Sequence, residues 1–164
     1  PPLADARGKH DYATISFEMK LLAKNKKATF DYEILEKIET GIVLTGQEVK
    51  SARGGNVDLR GSYISFVDGR PIMKKSKIQP YKYASNLGGY DPERDRELLM
   101  KKKEVARFIG LSEENGISII PLEVLGGRTI KILIAAGRGR KKYDKRQRIK
   151  ERDIEKRIKK TGDY

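Results

Sequence analysis

The chain has 164 residues, 37% of them hydrophobic, with no cysteine, a single histidine and a formal net charge of +13. That length accommodates one ordinary domain with its own core and disfavours a second. No apolar run approaches the roughly 20 residues that span a bilayer. Without cysteine, and with only His10, disulfides and thiol chemistry are excluded and zinc or Ser-His-Asp chemistry is strongly disfavoured.

Residues 1–18 (PPLADARGKHDYATISFE) begin without Met and carry no sustained periodicity, so they read as a leader or disordered arm, with Met19 as a natural start. KLLAKNKKAT reads as a short basic approach to the first structured element. In YEILEKIETGIVL, Ile34 and Ile38 fall on one parity and Leu35 on the other, with Gly41 as punctuation. This predicts a bulged strand. TGQEVKSARGG carries Glu early, Lys and Arg late and glycines at its end, the charge order and C-cap of a short helix.

VDLRGSYISFV and PIMKKSKIQPY read as strands around a turn at Asp68-Gly69, with Tyr63 and Phe66 expected in the core. GGYDPERDRELLMKKKEVARFIG predicts a helix that Asp91 caps, with Pro92 at its first position and Leu98, Leu99, Val105, Ala106 and Ile109 at helical spacing. The acidic residues Asp91, Glu93 and Asp95 are accounted for by that cap and the helix dipole, not by acid-base or metal chemistry. GISIIPLEVLGGRTIKILIAAG reads as two strands around Gly126-Gly127.

About six short strands with inserted helices fit a mainly β fold, a small oligonucleotide-binding-type barrel; an open α+β sheet is the competing architecture. The expected organisation is 1–18 as leader, 19–136 as barrel and 137–164 as basic tail.

Residues 137–160 contain thirteen Lys or Arg and four acidic residues, which is +9 of the net +13. Charge concentrated in this way is the electrostatic footprint of a nucleic-acid binder; an anionic membrane or an acidic protein is the weaker alternative. GRGRKKYDKR lacks the spacing of a nucleotide-binding loop, so Gly137 and Gly139 read as a hinge that lets Arg138, Arg140, Lys141 and Lys142 approach phosphates. Asp144→Arg148, Asp153→Arg157 and Glu155→Lys159 are correctly ordered helical pairs, and Tyr143, Ile154 and Ile158 form a narrow apolar stripe. The expectation is a segment disordered or weakly helical when free and helical where phosphates surround it. Phe30 and Tyr32 are candidate base-stacking residues.

Several strings resemble the small protein B (SmpB) family, the transfer-messenger RNA (SsrA)-binding proteins of trans-translation: NKKATFDYEI, ETGIVLTGQEVKSARGG, DPERDRELLMKKKEV, IIPLEV and GRGRKKYDKR. The resemblance runs from about residue 20 to 160. It implies an oligonucleotide-binding-type barrel without enzymatic activity or cofactor. The barrel would bind the tRNA-like domain of transfer-messenger RNA, and the tail would fold as a helix in the empty mRNA channel of a stalled ribosome, near the small-subunit decoding centre. Elongation factor Tu and alanyl-tRNA synthetase would act alongside, and the protein would be a cytoplasmic monomer that contacts no membrane.

The RNA-binding residues so implied are Lys26, Lys27, Tyr32, Glu39, Glu48, Lys50, Ser51, Arg53, Arg138, Gly139, Arg140, Lys141 and Lys142. Those of the ribosome-engaging tail are Tyr143, Asp144, Lys145, Arg146, Arg148, Lys150 and Arg152. Two departures stand out: Thr29-Phe30 where the family commonly has Arg-His, and Gly-Arg-Lys-Lys where Gly-Lys-Lys is usual. A structural ribosomal or general RNA-binding barrel is the alternative function, and an RNA-processing enzyme a weaker one.

Overall fold

The computed structural model describes residues 19–85 and 88–161; the reading of residues 1–18 as a leader lies outside them. The first strand, β1 (Lys20–Lys24), pairs antiparallel with a later strand through Lys20↔Gly126 and Lys24↔Glu123. The segment expected to be a basic approach is therefore a strand at the edge of the sheet, where lysines are an ordinary guard against edge-to-edge pairing. Helix α1 (Lys26–Asp31) follows, started by Asn25. Asn25 is buried: its amide donates to Leu59 O (3.2 Å) and Pro121 O (3.0 Å), and its Oδ1 accepts from Ala28 N–H.

Strand β2 (Tyr32–Ile42) is continuous through Gly41, and its bulge lies between Ile34 and Glu36. Helix α2 (Gly46–Arg53) has the expected charge order, and it adds a capping box: Thr45 Oγ1 accepts from Glu48 N–H while Glu48 accepts from Thr45 N–H (3.0 Å). Then come β3 (Val57–Asp58), β4 (Tyr63–Val67), β5 (Arg70–Lys74) and β6 (Lys77–Ile78). Phe66 packs against the core as expected, whereas Tyr63 is 39% exposed.

The long helix expected from Asp91 is instead a turn, a strand β7 (Arg96–Leu99) and a helix α3 (Lys102–Ser112). Asp91 Oδ1 accepts from Glu93 N–H (2.9 Å) and Asp91 O from Arg94 N–H (3.2 Å), which closes a turn. Leu98 is then 2% exposed and Leu99 59%, the alternation of a strand. The cause is remote, because Arg96 is drawn inside by Glu48, 48 residues earlier.

Strands β8 (Ile117–Gly126) and β9 (Ile130–Gly139) complete the sheet in the order β1-β8-β9-β2-β7-β5-β4. β4 packs back against β8, so the sheet curls into an oligonucleotide-binding-type barrel around Leu59, Met73, Leu98, Phe108, Ile132 and Ile134. α3 covers one side, where Arg107 Nε reaches Glu36 at 2.6 Å. Among the described residues no helix is long and apolar enough to cross a membrane.

β9 continues past residue 136, so Gly137 and Gly139 pair with Ile34 and Tyr32 and are not a hinge. A Cβ on Gly137 would lie 2.9 Å from Tyr32 Cβ, so close strand approach is what requires glycine there. Helix α4 (Lys142–Thr161) starts three residues later and has no buried residue. Its first turns are tied to the body through Lys145 and Asp31.

Candidate nucleic-acid interface

Two regions of positive charge emerge, at opposite ends of β9. The first lies at its end, where Arg138, Gly139, Arg140, Lys141, Tyr143 and Arg148 line a groove of about 390 Å³. Arg140 N–H donates to Asp31 O (2.8 Å), which fixes the chain as it leaves the barrel. The Asp31 carboxylate pairs with Lys145 Nζ (3.2 Å), and the Arg152 guanidinium sits 5.5 Å from the Phe30 ring centroid. Phe30 thus works here as a cation–π partner of the tail. Among the described residues Lys145–Asp31 is the only ion pair of α4, so the three expected intrahelical pairs stay open.

Lys26 and Lys27 are exposed on α1, and Tyr32 follows at the start of β2. Lys27, Asp31, Tyr32 and Tyr63 line a neighbouring groove of about 490 Å³. Lys26, Lys27, Tyr32 and Arg138–Lys142 thus come together around Asp31. Tyr143, Asp144, Lys145, Arg146, Arg148, Lys150 and Arg152 continue from them along one helix of about 30 Å.

The second region is α2. Lys50 and Arg53 are exposed, and Arg53 donates to Gly127 O (3.0 Å) and Arg128 O (3.3 Å), clasping the β8–β9 hairpin. Ten residues of strand separate this hairpin from Arg140, roughly 30 Å. Glu39 belongs to neither region. It is exposed on β2 beside a groove that Lys101, Lys102 and Lys131 also line.

Two of the expected RNA contacts are corrected. Glu48 and Ser51 are each 0% exposed and present no surface to RNA. Glu48 receives hydrogen bonds from Arg94, from Arg96 Nε (2.6 Å) and from Thr45 N–H. Burial pushes its carboxyl up, but the hydrogen bonds from Arg94, Thr45 and Arg96, with the Arg96 charge, outweigh that and hold it below the usual carboxylate range. Arg96 is itself fully buried and also donates to Ser76 O (3.1 Å), Arg94 O (2.9 Å) and Pro92 O (3.0 Å). Ser51 Oγ donates to Gln79 O at 2.5 Å.

Both residues therefore support the fold from beneath the surface. Sequence reasoning missed what Ser51 holds through Gln79: the approach to a turn carrying Tyr81 and Tyr83, with Lys50 Nζ 5.6 Å from the Tyr81 ring centroid. The string PYKY, aromatic residues interleaved with lysine, carried the signal.

A family model described as SmpB protein matches residues 22–163. The SsrA-binding protein of Prochlorococcus marinus (strain MIT 9515) is 47% identical over 141 residues, covering 85% of this chain and 86% of that protein. The SsrA-binding protein of Sulfurihydrogenibium sp. (strain YO3AOP1) is 45% identical over 144 residues, covering 87% and 93%. Among solved structures, a chain described as "tmRNA-SmpB: a journey to the center of the bacterial ribosome" superposes with a TM-score of 0.62 at 40% identity, covering 73% of this chain and 85% of that one. With the matched segment running from β1 to the end of α4, this chain belongs to the SmpB family.

Proposed function

We propose that this chain is a non-catalytic adaptor that binds the tRNA-like domain of transfer-messenger RNA and carries it to stalled ribosomes for trans-translation. Its similarity to SsrA-binding proteins and to a tmRNA-SmpB structure of the ribosome supports both partners. A protein with those partners works in the cytoplasm, beside elongation factor Tu and alanyl-tRNA synthetase. The non-catalytic reading is supported by what the carboxylates do: Glu48 is neutralised inside the barrel, and Asp91 closes a turn.

The observation that carries the division of labour is α4: twenty residues, strongly basic, none buried, leaving the barrel immediately after the Arg138–Lys141 cluster. The body, through Lys26, Lys27, Tyr32, Lys50, Arg53 and Arg138–Lys142, holds the tRNA-like domain; Glu39 borders the same body. The helix from Tyr143 to Arg152 engages the ribosome, where an mRNA channel lined by phosphate suits a basic rod. Among the described residues, deleting 143–164 removes no core side chain. The truncated protein is expected to bind a tRNA-like-domain transcript within about threefold of the full chain while tagging by stalled ribosomes in a reconstituted translation system is lost. Loss of both together would show a general RNA-binding barrel whose tail is an electrostatic arm.

A further inference from the structure

The turn between β6 and β7 places the Tyr83 ring in solvent beside a half-buried Tyr81, with a lysine ammonium near each ring. Tyr81 and Tyr83 meet edge to face, centroids 5.6 Å apart and planes at 69°. Lys82 Nζ lies 5.3 Å from the Tyr83 ring and Lys50 Nζ 5.6 Å from the Tyr81 ring. Tyr83 is 74% exposed and belongs to neither hydrophobic cluster, so packing does not explain it. Among the described residues neither lysine has a carboxylate partner, and the positive charge is left open to an outside anion.

The turn is also held in place. Ala84 N–H donates to Tyr81 O (3.0 Å), which makes Lys82 and Tyr83 its central residues. Just before it, Gln79 N–H donates to Asn56 O (3.1 Å), and Gln79 O accepts from the buried Ser51 hydroxyl. Beyond it, the Tyr90 hydroxyl donates to Ile78 O (2.8 Å). An exposed ring such as Tyr83, braced by the half-buried Tyr81 on an anchored turn, loses little conformational freedom when something stacks on it.

From the aromatic pair, the unpartnered lysines and the anchored turn, we infer that Tyr81 and Tyr83 form a stacking platform for an unpaired base of the tRNA-like domain, with Lys50 and Lys82 meeting the flanking phosphates. The inference rests on the RNA-binding reading above and adds to it a base contact that phosphate-directed lysines do not make. Every base offers a π face, and phosphate supplies the anion the two ammonium groups lack.

The chain contains no tryptophan, so Tyr83→Trp in the full-length protein introduces a single indole at the platform. Its emission is expected to be quenched as a tRNA-like-domain transcript is added, with affinity within about threefold of wild type. Tyr83→Leu is expected to weaken binding roughly 5- to 100-fold, the range for one stacked base, without changing the log–log salt slope; Tyr83→Phe binds as wild type. Lys82→Gln is expected to reduce the salt slope by about 0.7 to 0.9, one phosphate. Tyr83 packs in no core cluster, so these variants keep the fold, and circular dichroism verifies it.

If wild type binds the transcript tightly but Tyr83→Leu binds equally well, or the indole stays unquenched in the saturated complex, the platform is wrong and the RNA-binding reading stands. A wild-type protein that does not bind the transcript overturns both.

Discussion

At the scale of single residues, Glu48 shows how an expected RNA contact becomes a support. Its carboxylate is fully buried between Arg94 and Arg96, and Arg96 is as buried as it is. Removing one partner of such a pair leaves an uncompensated charge inside the protein. Glu48→Gln is expected to lower unfolding free energy by about 3 to 5 kcal/mol in urea denaturation at neutral pH. The pH dependence has a defined sign. The folded-state pKa of Glu48 lies below its unfolded value, so its contribution is complete above the ordinary carboxylate range of about 4 and is lost as pH falls through the lower folded value. The stability difference between wild type and Glu48→Gln should therefore narrow only in strongly acidic solution, and a difference that grew on acidification would contradict this account. Gly137 makes a second residue-scale case. A methyl group there meets Tyr32 Cβ, which cannot swing away as the far end of a side chain could. Gly137→Ala is expected to cost about 1 to 3 kcal/mol by overpacking, seen as a lower melting temperature.

At the scale of elements, local chemistry was legible wherever neighbours in sequence supplied it. Glu48 stands early and Lys50 and Arg53 late in α2, the Asp68-Gly69 turn joins β4 to β5, and Gly126-Gly127 ends β8, as read. The expected helix from Asp91 failed because Leu98, Leu99 and Val105 sit at helical spacing although the backbone through Arg96 is extended. Periodicity cannot register that Glu48 lies across the chain, or that β5 pairs with β7 through Met73↔Arg96. The tail is a related case. Its helix was readable from charge order, but its attachment was not, since Asp31 and Phe30 lie more than a hundred residues from Lys145 and Arg152. That attachment is modest in strength, being one partly exposed ion pair and one cation–π contact. Asp31→Asn is expected to change global stability by less than about 1 kcal/mol while speeding amide hydrogen exchange in the first turns of α4. Unchanged exchange would mean that Lys145–Asp31 does not hold the helix.

At the scale of the whole molecule, the charge is divided between a body with two basic regions and a rod that projects from one of them. Replacing Arg140 and Lys141 together by Gln should weaken binding to the tRNA-like-domain transcript and lower the log–log salt slope by about one to two units, measured by filter binding across salt concentrations. An unchanged slope would remove both residues from the phosphate interface. The sequence by itself determined a mainly β fold, the concentration of positive charge near the C-terminus and the helix-forming order of charges in the tail. Those properties follow from charge density, hydrophobic alternation and i,i+4 ordering, which are local or additive along the chain. Only the tertiary structure decided that Glu48 and Ser51 face inward, that Gly137 serves strand packing, and that Lys50 joins Tyr81 and Tyr83. Each of these depends on which distant segments meet, and the meeting is set by the closure of one curled sheet around a shared core, a cooperative outcome that no short window of sequence contains.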